Sequence, residues 1–464
     1  MSRRNSASPS GKPARGSASA SAPPNFVSLV SLGCPKNQVD SENLLGELLQ
    51  RDVVLCPDPA DASVIIVNTC GFIAPAREEG ASVLRECLEL RRKGPCRRLI
   101  VAGCWVEREE NELRKRFPEV DVWAGLLTPE RIAWLVERVR VPAEDSAPPE
   151  RSEKLRDESA RVRLTPGHWA YLRIADGCDN RCAYCTIPDI RGCLRSKPED
   201  DVLTEACALA SEGVKELCLI AQDITAYGHD VDGCSHLAGL LRDLAGFDGF
   251  EWIRLLYTHP AHFGDDVIEA MAAEPKICRY VDLPIQHIND RILRLMGRGV
   301  GRAEVEALVA KLRARMPGIV IRTTVIVGFP GETETEFAEL CDFLRQARFE
   351  RLGAFAYSPE TGTPAARLGG QLSDAERRRR VDEVMRIQQG IAFEAAESWV
   401  GRETPVILDR GGDRPGTFVG RTPGDAPEID PVIHLAGKGR TGQIRRARVT
   451  KRLGYDLTGS LLSP

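Results

Sequence analysis

Cys178, Cys182 and Cys185 stand together in DGCDNRCAYCTIP as a C-x3-C-x2-C run. Three thiolates on one short loop can hold three corners of a [4Fe–4S] cube, because soft sulfur suits iron. The fourth iron then lacks a protein ligand and is open to a small molecule. Zinc would want four ligands, and the nearest further thiol is Cys193. Three other cysteines lie far apart along the chain: Cys34 in SLGCPKN, Cys70 in VNTCGF and Cys104 in VAGCWV. Each follows a short apolar run and sits beside glycine or proline. The C-terminal ends of parallel strands converge on one crevice, so three thiols distant in sequence can meet there. One such cysteine would read as a small buried hydrophobe. Three at matching positions point to a second cluster. The other nine (Cys56, Cys87, Cys96, Cys193, Cys207, Cys218, Cys234, Cys278 and Cys341) show no spacing pattern and read as structural.

The elements that must position these thiols follow from hydrophobic periodicity. FVSLVSL (26–32), SVIIVN (63–68), RLIVAG (98–103) and VDVWA (120–124) alternate with helix-period segments, the signature of a parallel sheet with helices on its faces. Polar, Pro-containing residues 141–163 read as a linker. A longer β/α series over 164–398 has six strand candidates beginning at Trp169, which suggests an incomplete TIM-like (β/α)6 barrel. From 399 to 464, short runs separated by Gly and Pro predict a small all-β domain. The fold class is therefore α/β with an all-β end, the first domain spanning 26–140. Residues 1–25, rich in Ser, Ala and Pro with four basic residues and no acid, predict a disordered tail.

Composition narrows the function. The 464 residues are 42% hydrophobic and 28% charged, which excludes collagen-like, coiled-coil and wholly disordered chains. No run is apolar enough to span a bilayer, and no secretory leader is visible. An odd total of 15 cysteines then argues for a reducing cytoplasm and for metal or redox chemistry, with no membrane partner. The net charge of −4 argues against a general nucleic-acid binder.

The cysteine triplet on the first loop of a six-unit β/α series resembles the radical S-adenosylmethionine (SAM) superfamily. That resemblance implies that the open iron chelates the amino and carboxylate groups of SAM. One electron then cleaves the sulfonium bond to give a 5′-deoxyadenosyl radical. LIAQDITAYG (219–228) and TTVIVGFPGET (323–333) look like cofactor-binding segments, with Gly328 and Gly331 letting backbone approach the nucleoside. Tyr184 resembles the aromatic residue beside the adenine. Gln222, Asp223, Gln286 and His287, at the ends of barrel strands, are candidates for polar contacts with the cofactor. Arg173 and Arg191 flank the cluster loop and offer either carboxylate binding or ordinary ion pairs.

The three-domain order over about 26–462 is similar to the methylthiotransferase family, with its terminal TRAM domain. SLGCPKNQVDSE, IVNTCGFI, AQDITAYG, GRTPGDAPEID and YDLTG look like the branch that methylthiolates an aspartate β-carbon of ribosomal protein uS12. PIQH (284–287) departs slightly from the family's Pro-Leu-Gln-His, a volume-conserving change. The tRNA-modifying branch typically carries Gln-Met-Asn after the first cysteine. The resemblance implies two [4Fe–4S] clusters and two uses of SAM. One methylates a sulfur on the auxiliary cluster at Cys34, Cys70 and Cys104; the other generates the radical at Cys178, Cys182 and Cys185. An unactivated aspartate Cβ–H yields to no side-chain base at neutral pH, so radical chemistry suits the substrate. Expected partners are uS12, within the small ribosomal subunit or free, an electron donor and a sulfur donor. Asp425, Glu428 and Asp430, in a Gly-Asp-Ala-Pro turn, are expected to face outward as an acidic dock for basic uS12. The rivals are a tRNA methylthiotransferase, favoured by the basic 438–452 stretch, and a two-cluster electron carrier, which would need no barrel.

Overall fold

The computed structural model describes residues 25–51, 53–140, 147–150 and 155–463. Most of the expected tail (1–24) and two parts of the expected linker (141–146 and 151–154) lie outside the described residues.

The first domain is a five-stranded parallel sheet: β1 (Asn25–Ser31), β2 (Val53–Leu55), β3 (Val64–Thr69), β4 (Arg98–Gly103) and β5 (Val122–Trp123), in the order β2-β1-β3-β4-β5. Side chains alternate across it, as period two requires. Ile65, Val67, Leu99 and Val101 pack with Ala81 and Leu84 of α2 (Ala74–Lys93) and Trp105 of α3 (Cys104–Arg116). Ile66, Ile100 and Ala102 face the other way, against Leu44 and Leu48 of α1 (Pro35–Leu49) and Leu135 of α4 (Pro129–Arg140). Burial on both faces explains the unbroken apolar run in β3.

The second domain is an open, parallel six-stranded barrel. β6 (Trp169–Arg173) leads through a short antiparallel pair, β7 (Ala175–Asp176) and β8 (Arg195–Ser196), to β9 (Glu216–Ile220), β10 (Trp252–Leu255), β11 (Ile277–Asp282), β12 (Val320–Val327) and β13 (Arg351–Ala356). Sheet order β13-β12-β11-β10-β9-β6 follows the chain, as a singly wound β/α series must. Ala170, Leu172, Leu217 and Leu219 lie under the outer helices, whereas Trp169, Tyr171, Cys218 and Tyr280 belong to a separate cluster on the opposite face.

The helix Asp374–Glu397, capped by Ser373 accepting from the Glu376 N–H, leads into a closed five-stranded barrel. Its strands are β14 (Glu403–Gly411), β15 (Thr417–Arg421), β16 (Ile433–Ala436), β17 (Ile444–Leu453) and β18 (Asp456–Leu461).

The connection between β15 and β16 corrects the docking expectation. Asp425 is buried, pairs with Arg351 at 2.7 Å and accepts from the Thr422 hydroxyl. The Asp430 carboxylate accepts from the Tyr280 hydroxyl at 2.7 Å and lies 3.5 Å from Arg322. Glu428 alone is exposed. Turn chemistry predicted an outward-facing loop, but the barrel's own arginines and tyrosines draw two of its three acids inward. Glu216 and Arg351 open their strands, so this loop closes the barrel at the N-terminal end of its strands. Arg421 continues the network, bonded to Glu216 and Asp409.

Candidate functional site

Each auxiliary-set cysteine follows a strand of the first sheet. Cys34 caps α1 after β1, Cys70 follows β3, and Cys104 begins α3 directly after β4. Glycine makes their convergence possible. Gly33 has φ +98°, and a Cβ there would lie 2.7 Å from Cys70 Cβ. Gly103 shares that φ, and its added Cβ would strike Asn68 and Thr69 of the neighbouring strand. Asn37 and Asn68 lock the turns: Asn37 Nδ2 donates to Leu32 O, and Asn68 Nδ2 to Asn37 O.

The other trio sits on the loop after β6 and β7, at the C-terminal mouth of the barrel. Cys178 N donates to Gly192 O and Cys185 N to Cys182 O. Cys193, the alternative fourth ligand, is exposed. A single tetrahedral zinc with bonds of about 2.3 Å would hold its sulfurs about 3.8 Å apart. Neither trio closes to within 4.8 Å, the spacing that among the described residues only Asp223, His259 and His262 reach. A cube instead gives each thiolate its own iron corner. Burial pushes the Cys104 and Cys185 thiols up to about 12, so each stays protonated until a metal binds.

The auxiliary set lies against the helix that follows the barrel's cysteine loop. Arg191, in the short helix Ile187–Arg191 behind the barrel loop, donates to Asp176 and Asp40 and lies 3.6 Å from Cys104 Sγ. Cys104 also packs directly on Ile190. Arg173 pairs with Asp40 and Glu158. Of the two roles open to these arginines, the structure shows ion pairs. Glu360, after β13, accepts from Ala74 N and Arg77 and pairs with Arg108, which fixes the first domain over the barrel mouth.

Several buried polar atoms near the barrel loop have no partner: Gln222 Oε1, Gln286 Oε1 and His259 Nε2. Gln222 Nε2 donates to Asp176, leaving its oxygen free, and Gln286 is held at φ +74°. Unpartnered groups of this kind suit a polar cofactor that completes them. Tyr184 packs with Ala183, Met296 and Phe329, and its hydroxyl is 3.4 Å from Arg298 Nη1.

Other expected contacts are engaged in whole or in part inside the protein. Asp223 accepts from Thr225, Asn180 and His262, so it braces the cysteine loop through Asn180. His287 is fully buried, its Nδ1 accepts from Asn289 N at 3.0 Å while its Nε2 has no partner, and the ring feels the charges of Glu336, Arg380 and Arg291. Gly328 does not face open space: a Cβ there would meet Arg377 at 2.5 Å. Gly331 N donates to Gly370 O. Both glycines have positive φ, which the backbone there requires, and at Gly328 a packed arginine leaves no room for a side chain.

Sequence reasoning missed Arg298, His259 and His262. Arg298 Nη1 lies 3.4 Å from Cys182 Sγ, and Nη2 donates to Pro284 O. His259 and His262 stack at 5.1 Å beside Asp223. They do not form a metal site. His259 Nδ1 accepts from Ala261 N, and burial holds the ring neutral with its pKa at about 3. The remaining nitrogen, Nε2, therefore carries the proton and donates. His262 presents Nδ1 to Asp223 at 2.7 Å.

An open six-stranded barrel with a cysteine triplet on its first mouth loop defines a radical SAM enzyme, and the models of known families agree. The Radical SAM superfamily matches residues 172–344, the "Uncharacterized protein family UPF0004" residues 27–125, and the TRAM domain residues 400–462. Ribosomal protein uS12 methylthiotransferase RimO of Anaeromyxobacter sp. (strain K) is 44% identical over 439 residues, 94% of this chain and 93% of that protein. The protein of the same name from Heliobacterium modesticaldum is 43% identical over 438 residues, 94% and 95% of the two chains. Among solved structures, the radical SAM methyltransferase TsrM from Kitasatospora setae, with cobalamin and a [4Fe-4S] cluster bound, aligns at TM-score 0.55 and 16% identity over 85% of this chain and 80% of that one, a likeness of fold. The chain belongs to the RimO family of radical SAM methylthiotransferases. Its cofactors are SAM and [4Fe–4S] clusters, two in this family. Among the described residues no helix is long and apolar enough to cross a membrane.

Proposed function

We propose that this enzyme places a methylthio group on the β-carbon of an aspartate in ribosomal protein uS12. Cys178, Cys182 and Cys185 hold the cluster that binds SAM, and Cys34, Cys70 and Cys104 hold the auxiliary cluster. The observation that carries the assignment is the contact of Arg191, on the helix that follows the barrel's cysteine loop, with Cys104 Sγ, which sets the segment behind one cysteine set against a member of the other. When bound, the clusters and SAM supply the one-electron chemistry that activates an inert C–H bond and the sulfur that replaces its hydrogen. The chain's own residues orient and shield them. Arg298 places positive charge and an N–H donor beside Cys182, while Gln222 Oε1, Gln286 Oε1 and His259 Nε2–H offer two acceptors and one donor to the cofactor. Glu360 clamps the first domain over the mouth and helps to exclude water. The reaction also needs a reductant and a sulfur source, and a cytoplasmic site would supply both.

The test is mass spectrometry of uS12 and of tRNA from cells with and without the gene. Loss of methylthio-aspartate in uS12, with tRNA unchanged, is expected. Loss of a methylthiolated tRNA base with uS12 unmodified in both strains would refute the assignment and establish the tRNA alternative.

A further inference from the structure

Lys36 is a buried lysine that pairs with no carboxylate among the described residues. It occupies the first turn of α1, two positions after Cys34, and its residue is only 5% exposed. Its Nζ stands 3.0 Å from the centroid of the Tyr257 ring, on the loop after β10. It forms no ion pair with any described residue. The foremost acidic group acting on it is Cys34, whose charge a cluster would take up as its ligand, and the two carboxylates are engaged elsewhere: Asp282 with Arg322, and Asp176 with Arg191 and Arg195. Tyr257 is itself held in an unusual conformation, φ +64°, by Asp282 accepting from its N–H and by Ile224 N donating to its carbonyl. A non-glycine residue kept at positive φ marks a position the surroundings over-determine. The barrel thus pays in backbone strain for a ring that seats an ammonium group arriving from the other domain.

Buried charges are normally paired, because an uncompensated one loses its hydration without return. An aromatic face supplies only part of that compensation. The missing partner should be an anion that arrives with the substrate and leaves with the product.

We propose that Lys36 is the binding residue for the carboxylate of the substrate aspartyl side chain, a role that rests on an aspartate being the group modified. The carboxyl carbon is bonded directly to Cβ. A charge-assisted contact of about 2.8 Å to Nζ therefore fixes that carbon within about 5 Å of it. Lys36 follows Cys34 on one domain and touches Tyr257 on the barrel, so the carbon so held lies at the seam between the first domain and the barrel, close to Cys34. Specificity for an acidic side chain follows, because an amide would leave the ammonium unpaired.

The experiment uses reconstituted holoenzyme and two synthetic uS12 loop peptides, one with the target Asp and one with Asn in its place. Peptide affinity is measured by anisotropy, and SAM cleavage without peptide is followed in parallel. Wild type is expected to bind the Asp peptide about 10–100-fold more tightly than the Asn peptide, the range of one hydrogen-bonded charge. Lys36→Met should bind both equally and weakly, its iron content and peptide-free cleavage serving only to show whether the clusters are in place. Lys36→Arg should restore part of the preference. Tyr257→Leu, which removes the seat and leaves the charge, should reduce the preference without abolishing it. A Lys36→Met enzyme that keeps the wild-type preference for Asp would overturn the proposal, as would a wild type without preference that still methylthiolates uS12. If Lys36→Met loses cluster iron, Lys36→Gln and Tyr257→Leu decide the outcome by the same ratio. A wild type that methylthiolates tRNA and not uS12 would instead remove the functional assignment itself.

Discussion

His287 was expected among the cofactor contacts, and the structure turns it into a sharp test of acid stability. The ring is fully buried, and burial lowers its pKa from 6.5 to about 3. A base whose pKa is depressed on folding binds more protons in the unfolded chain, so stability falls as pH drops below 6.5. Between pH 7 and pH 5 the unfolded imidazole becomes almost fully protonated while the folded one stays neutral, a loss of about 2 kcal/mol from this residue alone. His287→Asn keeps an acceptor for the Asn289 N–H and removes the titration. Urea unfolding, followed by tryptophan fluorescence at pH 7, 6 and 5, should therefore show wild type losing about 2 kcal/mol more than the variant over that range. The variant starts lower at pH 7, since a smaller side chain leaves a void, and the two curves approach each other as pH falls. Equal losses in the two proteins would mean that the ring is protonated or solvated in the folded state, and the buried placement would be refuted.

Replacing Cys178, Cys182 and Cys185 with Ala should leave one cluster and abolish SAM cleavage, whereas replacing Cys34, Cys70 and Cys104 should spare cleavage and stop methylthio product; iron analysis and quantitation of 5′-deoxyadenosine check both. Arg298→Met removes a positive charge 3.4 Å from Cys182 Sγ, so the low-potential cluster should become harder to reduce in an EPR-monitored titration, and an unchanged potential would remove Arg298 from the site. Asp425→Lys and Asp430→Lys should each destabilise the chain by about 3–5 kcal/mol, because each places a second cation against buried arginines, while Glu428→Lys should shift the unfolding midpoint little.

The architecture and both cysteine sets were legible in the sequence because short apolar runs announce the strands: three thiols each follow one such run, and the other three share the single loop after another. Gly33 and Gly103 beside them were visible too, and the close contacts there explain why no larger residue fits. The acidic loop misled because its neighbours in space, Tyr280, Arg322 and Arg351, are remote in sequence, and no local rule could reveal them. Arg298 gave no signal either, being one arginine after a helix that happens to reach Cys182. Gly328 was singled out for close approach of backbone to a nucleoside, and the neighbour found there, Arg377, comes from a helix remote in sequence that the local pattern does not encode.

The buried bonding between the C-terminal barrel and the strand starts of the radical SAM barrel has a mechanical consequence. With Arg421 anchored on Glu216, Arg254 on Pro423 O and Asp425 on Arg351, the small domain has no hinge at this seam. It behaves as a fixed jaw rather than a tethered hand. Any macromolecule gripped by its outer strands meets the reaction mouth at one reach and one angle, as with a caliper whose opening is set. A site on a flexible loop of the substrate can adapt to that span, and a site within a rigid element has to match it.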